Sequence, residues 1–158
     1  MEKKEIIVLL HNIRSTHNVG SIFRTADALG VNKIYFSGYT PTPLDRFGRT
    51  RRDIAKVSLG AEKTVLCEYF KNPKNLITKL KKNHYQIIAL EQAKNSVDYK
   101  KVKVRYPSLF VVGSEVDGVP EAILSACDIV AEIPMKGSKE SLNVSVAFGV
   151  ALFRMLDK

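Results

Sequence analysis

Short apolar runs alternate along the chain with segments in which apolar positions return every three or four residues. The runs are Glu5 to Leu10, Lys33 to Phe36, Lys63 to Leu66, Gln86 to Leu90, Leu109 to Val112 and Ile129 to Ile133. They predict strands, and because polar residues hardly interrupt them, strands covered on both faces. Helical spacing predicts helices from Asn18 to Leu29, stopped by Gly30, and over Pro73 to Asn83, Pro120 to Ala126 and Ser141 to Leu156. Strands separated by helices imply an α/β fold, a mostly parallel sheet with helices on both faces. Ligands of such a sheet bind at the carboxyl ends of its strands.

The last helical segment is apolar almost all round, through Leu142, Val144, Val146, Ala147, Phe148, Val150, Leu152, Phe153, Met155 and Leu156. It is therefore expected to be buried nearly all round, in protein or against a second subunit. A polar loop, Ile133-Pro134-Met135-Lys136-Gly137-Ser138-Lys139-Glu140-Ser141-Leu142-Asn143-Val144-Ser145, leads into it. Ser141, Asn143 and Ser145 at its mouth can cap free backbone N–H groups or hold a ligand, and both readings stay open.

Composition narrows the partner. The chain has 158 residues, 45% of them hydrophobic, and no linker divides it, so residues 1–158 are expected to form a single domain. The net charge of +9 points to a polyanion, and nucleic acid fits best. Cys67 and Cys127 lack metal-ligand spacing, and the charged start Met1 to Glu5 precedes an apolar run too short for a signal peptide. No run is long enough to span a bilayer. A cytoplasmic protein with reduced thiols, no metal and no membrane anchor is expected.

Three loops carry candidate chemistry. In the first, Asn12 to Asp27, polar groups crowd a helix entry, and Asn18 and Arg24 are placed to share one side of that helix; a salt bridge from Arg24 to Asp27 is the structural alternative. The second, Gly113-Ser114-Glu115-Val116-Asp117-Gly118-Val119-Pro120, follows a buried strand with two glycines that allow tight turns. Glu115 and Asp117 there are weak evidence for acid/base chemistry, since acids near a helix start are stabilised by its dipole alone. The dinucleotide glycine fingerprint and the lysine-ending phosphate loop are both absent. The third stretch, Tyr39 to Lys56, has little periodicity and predicts a long basic loop. Arg46, Arg49, Arg51 and Arg52 around Phe47 can meet phosphates and stack bases of single-stranded or looped RNA.

Taken in order, the segments Asn18 to Asp27, Gly113 to Pro120, and Ile133-Pro134-Met135 through Ser141-Leu142-Asn143-Val144-Ser145 resemble the SpoU/TrmH family of RNA ribose methyltransferases, of the knotted SPOUT class. Lys56 to Ala61 is similar to a further segment of that family. The resemblance implies a C-terminal deep trefoil knot, S-adenosylmethionine as cofactor and a homodimer through the C-terminal helix. It implies cofactor contacts at Leu90, Gly113, Ile133, Met135 and Leu142, and a catalytic set of Arg24, Asn18, Glu115, Ser141 and Asn143. The expected reaction is methyl transfer to a ribose 2′-hydroxyl of RNA, with tRNA ahead of rRNA. A base-modifying knotted methyltransferase and a non-catalytic RNA-binding protein that keeps the fold are the alternatives. Because the chain starts close to its first strand, it is also expected to lack the N-terminal RNA-binding extension of larger relatives.

Overall fold

The structure is a computed structural model that describes residues 4–158; residues 1–3 of the charged start lie outside the described part. Among the described residues seven strands form one sheet: β1 (Ile6–His11), β2 (Lys33–Ser37), β3 (Leu66–Tyr69), β4 (Gln86–Leu90), β5 (Val97–Asp98), β6 (Ser108–Val112) and β7 (Ile129–Glu132). Their order across the sheet is β3-β2-β1-β6-β4-β7-β5. Every pairing is parallel. The helices are α1 (Thr16–Leu29), α2 (Arg52–Ser58), α3 (Ala61–Thr64), α4 (Pro73–Lys82), α5 (Glu121–Leu124) and α6 (Val144–Met155), with a single 3-10 turn at Tyr99–Lys101.

Successive side chains of a strand point to opposite faces, so the central strands feed two apolar layers. Ile6, Val8 and Leu10 of β1 join Phe110 of β6, Phe23 of α1, Ile54 of α2 and Phe148 and Leu152 of α6 on one face. Ile7 and Leu9 join Leu109 and Val111, Leu76 and Leu80 of α4, and Ile123 of α5 on the other. The parallel sheet with helices on both faces is as its apolar runs imply.

Elsewhere the chain departs from its periodicity. Residues Ala61–Thr64 form a helical turn, not the start of a strand, because Gly60 at φ 95° turns the chain and accepts from the Lys63 amide. The strand lies later, at Leu66–Tyr69, and all four of its residues are exposed. The basic loop also ends earlier than expected, in α2 at Arg52. Its packing comes from a close approach to α1: a Cβ on Gly20 would sit 2.8 Å from Val57 Cβ and 2.9 Å from the Ile54 carbonyl. The short β5 and the turn after it have no sequence signal of their own.

The C-terminal helix is shorter than Ser141 to Leu156. It starts at Val144 because the Asn143 side chain accepts from the Ser145 and Val146 amides and caps it. Nor is it buried all round in the isolated chain. Phe148, Ala151, Leu152 and Met155 are buried, whereas Leu142 and Val146, Val150 and Phe153 on α6 stay 38–50% exposed. Among the described residues the fold covers only one of the two apolar sides of α6.

Candidate active site

Loops leaving the carboxyl ends of β4, β6 and β7 enclose a cleft of about 340 Å³. Its wall is apolar at Leu90, Val112, Ala131, Ile133, Leu142 and Phe148. Gly113, Met135, Glu115 and Ser141 line it as well. All five positions expected to touch the cofactor, Leu90, Gly113, Ile133, Met135 and Leu142, thus face one cavity. Of the expected catalytic set, Glu115 and Ser141 do so, while Asn18, Arg24 and Asn143 do not.

The glycine loop is folded hard against itself. A Cβ on Gly113 would lie 2.5 Å from the Gly118 carbonyl carbon and 2.5 Å from the Val119 nitrogen, and Gly118 has φ +69°. Only glycine allows both. Ser114 Oγ accepts from the Val116 and Asp117 amides and closes the turn. Glu115 and Asp117 do not act as a carboxylate pair, because Glu115 is taken up by the first helix.

Glu115 Oε1 accepts from Asn18 Nδ2 at 3.1 Å, and Oε2 from the Arg14 amide at 3.3 Å. Asn143 Nδ2 in turn donates to Asn18 Oδ1 at 3.2 Å. The buried Asn18 therefore joins the glycine loop, the start of α1 and the cap of α6, three segments far apart in sequence. Burial by itself would raise the Glu115 carboxyl. Hydrogen bonds from its own amide, the Asn18 side chain and the amides of Arg14 and Ser15 outweigh it and hold the group below the ordinary glutamate range. Glu115 is thus an anion and an acceptor at neutral pH.

Arg24 lies apart from this network. Six residues along α1 carry it round the helix, so Asn18 is buried and Arg24 exposed, and the two do not share a side. Among the described residues Arg24 makes no ion pair. Asp27, its possible partner, accepts from Thr64 Oγ1 instead.

Two residues with no local motif complete the cleft. Glu91 Oε2 accepts from the Val119 amide at 2.8 Å, and Gln92 Nε2 donates to the Glu140 carbonyl at 2.8 Å. The end of β4 thereby holds the glycine loop with one side chain and the loop before α6 with the next. Their position just past a buried parallel strand was the available signal.

The basic segment forms a tight turn in which Asp45 accepts from the Phe47 and Arg49 amides. The exposed Phe47 ring carries the Arg46 and Arg49 guanidiniums at 4.8 and 4.9 Å from its centroid. Arg49 also pairs with Asp45 at 2.9 Å. Arg52 is exposed at the start of α2, whereas Arg51 faces Asp53 at 3.5 Å with its Nε buried and unpartnered.

The residues of the cleft suit S-adenosylmethionine. Its apolar wall fits an adenine ring, and among the described residues no backbone amide from Lys136 to Leu142 donates to another backbone group, which leaves them free for a ligand. Glu91, Glu115, Asp117, Glu132 and Glu140 line the same cleft and offer acceptors to ribose hydroxyls, an ammonium and a sulfonium cation.

Fold and cleft define an α/β domain with a ligand cleft in the loops after parallel strands, its loops tied together by asparagine and glutamate side chains. Residues 5–153 match the model of the SpoU rRNA Methylase family, and the chain belongs to that family. It is 34% identical over 151 residues to the "tRNA (guanosine(18)-2'-O)-methyltransferase" of Aquifex aeolicus, covering 96% of this chain and 68% of the relative. A protein of Staphylococcus saprophyticus is 34% identical over 157 residues, or 99% of this chain and 60% of its own length. Among solved structures, the S-adenosylmethionine-bound rRNA methyltransferase of Sinorhizobium meliloti superposes with a TM-score of 0.88 at 27% identity. That match covers 99% of this chain and 57% of the other. The chain thus spans about six-tenths to two-thirds of the length of these relatives.

Proposed function

We propose that this chain uses S-adenosylmethionine to methylate a ribose 2′-hydroxyl of RNA, with tRNA as the substrate class. The observation that carries the reading is the Glu115–Asn18–Asn143 network, which joins all three segments that resemble the family beside one cleft. S-adenosylmethionine, when bound, supplies an electrophilic methyl group on a sulfonium that departs as a neutral thioether. Leu90, Gly113, Ile133, Met135 and Leu142 hold it, largely through backbone groups. The residues must then place the hydroxyl in line with the methyl and ease the loss of its proton. A new O–C bond forms as the S–C bond breaks, the sulfur keeps the electron pair, and the hydroxyl proton leaves to phosphate or water.

Arg24 is the group that grips the substrate phosphate and stabilises charge developing on the ribose oxygen. A guanidinium stays protonated in nearly every protein setting, so it serves as a donor and not as a base. Glu115, Asn18, Ser141 and Asn143 position the ribose and the loops around it. Because Arg24 is exposed and outside the cleft of its own chain, the reading includes a homodimer through the uncovered stripe of α6, with the active site completed between subunits. It also includes the C-terminal knot. Two features support that topology: β6 is inserted between β1 and β4, and α6 packs against both α1 and the turn at Tyr99–Lys101 that lies on the way into β6. In this reading residues 1–158 work as one catalytic unit in the cytoplasm, and Arg46, Arg49 and Arg52 contact the RNA, while Arg51 stays turned to Asp53.

The test is transfer of labelled methyl from S-adenosylmethionine to total tRNA and, separately, to rRNA from cells lacking the protein, followed by nucleoside analysis. A 2′-O-methylated nucleoside in the tRNA pool is expected. A methylated base would instead show the other branch of the knotted class, and RNA binding without cofactor binding would leave only an RNA-binding role.

A further inference from the structure

We propose a second RNA contact in the open groove between α4 and α5: a place where an unstacked nucleotide lies on Tyr69 with its flanking phosphates on Lys71 and Lys74. The inference rests on the RNA reading above and extends it to a surface no sequence motif marks. The groove measures about 800 Å³ and is lined by Tyr69, Phe70, Lys71 and Lys74 with His11, Asn72, Asn75 and the start of α5. Not one of its lining residues is acidic; Glu121 lies between two of them in sequence and does not line it. The cofactor cleft, by contrast, is lined by five carboxylates.

Among the described residues neither lysine has an anionic partner. Tyr69 is 49% exposed, and its hydroxyl donates to the Gly38 carbonyl at 3.0 Å. The ring is thus held by its edge while a face stays open to solvent. An oriented ring beside two free ammonium groups is the arrangement single-stranded nucleic acid recognises, since any base has a stacking face. Position argues the same way. Gly38 opens the segment that leads to Phe47 and the arginines, and Pro120 in the groove wall closes the glycine loop of the cofactor cleft. The groove is therefore tied through Tyr69 to the start of the segment that carries the basic turn, and through Pro120 to the end of the glycine loop.

The test compares wild type with Tyr69→Leu, Tyr69→Phe and the pair Lys71→Ala, Lys74→Ala, using unfractionated tRNA in filter binding over a salt series. All these side chains are exposed, and melting curves confirm that each variant folds. Tyr69→Leu should weaken RNA binding roughly tenfold, and Tyr69→Phe should lose clearly less, because the stacking ring remains while only its tether to Gly38 is gone. The lysine pair should lower the slope of log affinity against log salt by about 1.4. S-adenosylmethionine affinity should not move in any of them. Unchanged RNA affinity and slope in both Tyr69→Leu and the lysine pair overturn the groove, and an equal loss in Tyr69→Phe overturns stacking. Wild-type protein that binds tRNA through the groove yet transfers no methyl group to tRNA or rRNA would sink the catalytic reading and leave the groove standing. Failure of wild type to bind either RNA removes both.

Discussion

Arg24 and Glu115 show how differently two charged groups near one reaction can be used. Arg24 is exposed and makes no ion pair among the described residues, so it is available to substrate. Arg24→Lys keeps the charge but loses the planar fork, and should lose most turnover with S-adenosylmethionine affinity intact; a near-normal single-turnover rate would exclude the assigned role. Glu115 is instead anchored by Asn18 and the Arg14 amide at the edge of the cleft. Its carboxyl is held below the ordinary glutamate range, so its anion contributes stability that is present above that range and lost as pH falls through the depressed value. Glu115→Gln should therefore flatten the acid side of a stability-against-pH curve, read by melting temperature, and slow methyl transfer by loosening Asn18. Gly113 permits no compromise. Gly113→Ala presses a methyl group onto backbone at 2.5 Å, which nothing can move aside cheaply, and should cost about 1–3 kcal/mol in thermal denaturation as well as the cofactor site.

Element by element, what the chain revealed in advance follows from range. β1, β2, β4, β6 and β7 are buried on both faces, so their apolar runs were legible, and α1 announces its end through Gly30 at φ 75°. Segments fixed by distant contacts were not. The exposed β3 owes its existence to pairing with β2, and α2 to the gap that Gly20 leaves on α1. The site divides in the same way. The cleft residues sit on loops after strands, where a parallel sheet puts ligands, whereas the role of Glu91 and Gln92 depends on partners in two loops that no spacing connects. Arg51 reads like its neighbours in sequence, yet its side chain is turned to Asp53. Arg46→Ala, Arg49→Ala and Arg52→Ala together should accordingly weaken tRNA binding and flatten its salt dependence, with cofactor affinity unchanged by calorimetry. On α6, Val146→Glu with Val150→Glu places charge on the uncovered stripe and spares the buried face. Sedimentation should show monomers that retain their circular dichroism, and methyl transfer should fall with the assembly.

At the scale of the whole molecule, charge and topology act together. A chain of net charge +9 with carboxylates gathered in its cofactor cleft presents opposite signs to its two ligands, so RNA affinity should fall steeply between low and physiological salt while S-adenosylmethionine affinity changes little. The sheet carries a different consequence. Its fourth position across is taken by β6, which pairs Ile6 with Ser108 on one side and Gln86 with Ser108 on the other. Until β6 emerges, β1 has β2 on one edge only and β4 has no partner strand, and just over two-thirds of the chain, residues 1–107 of 158, has been made before it. Such non-local closure is slow, because the entropy of a long loop is spent before the pairing rewards it. Nascent chains stalled before Ser108 should thus be soft to protease and in need of chaperones, and resistance should appear abruptly once the middle strand can slot in.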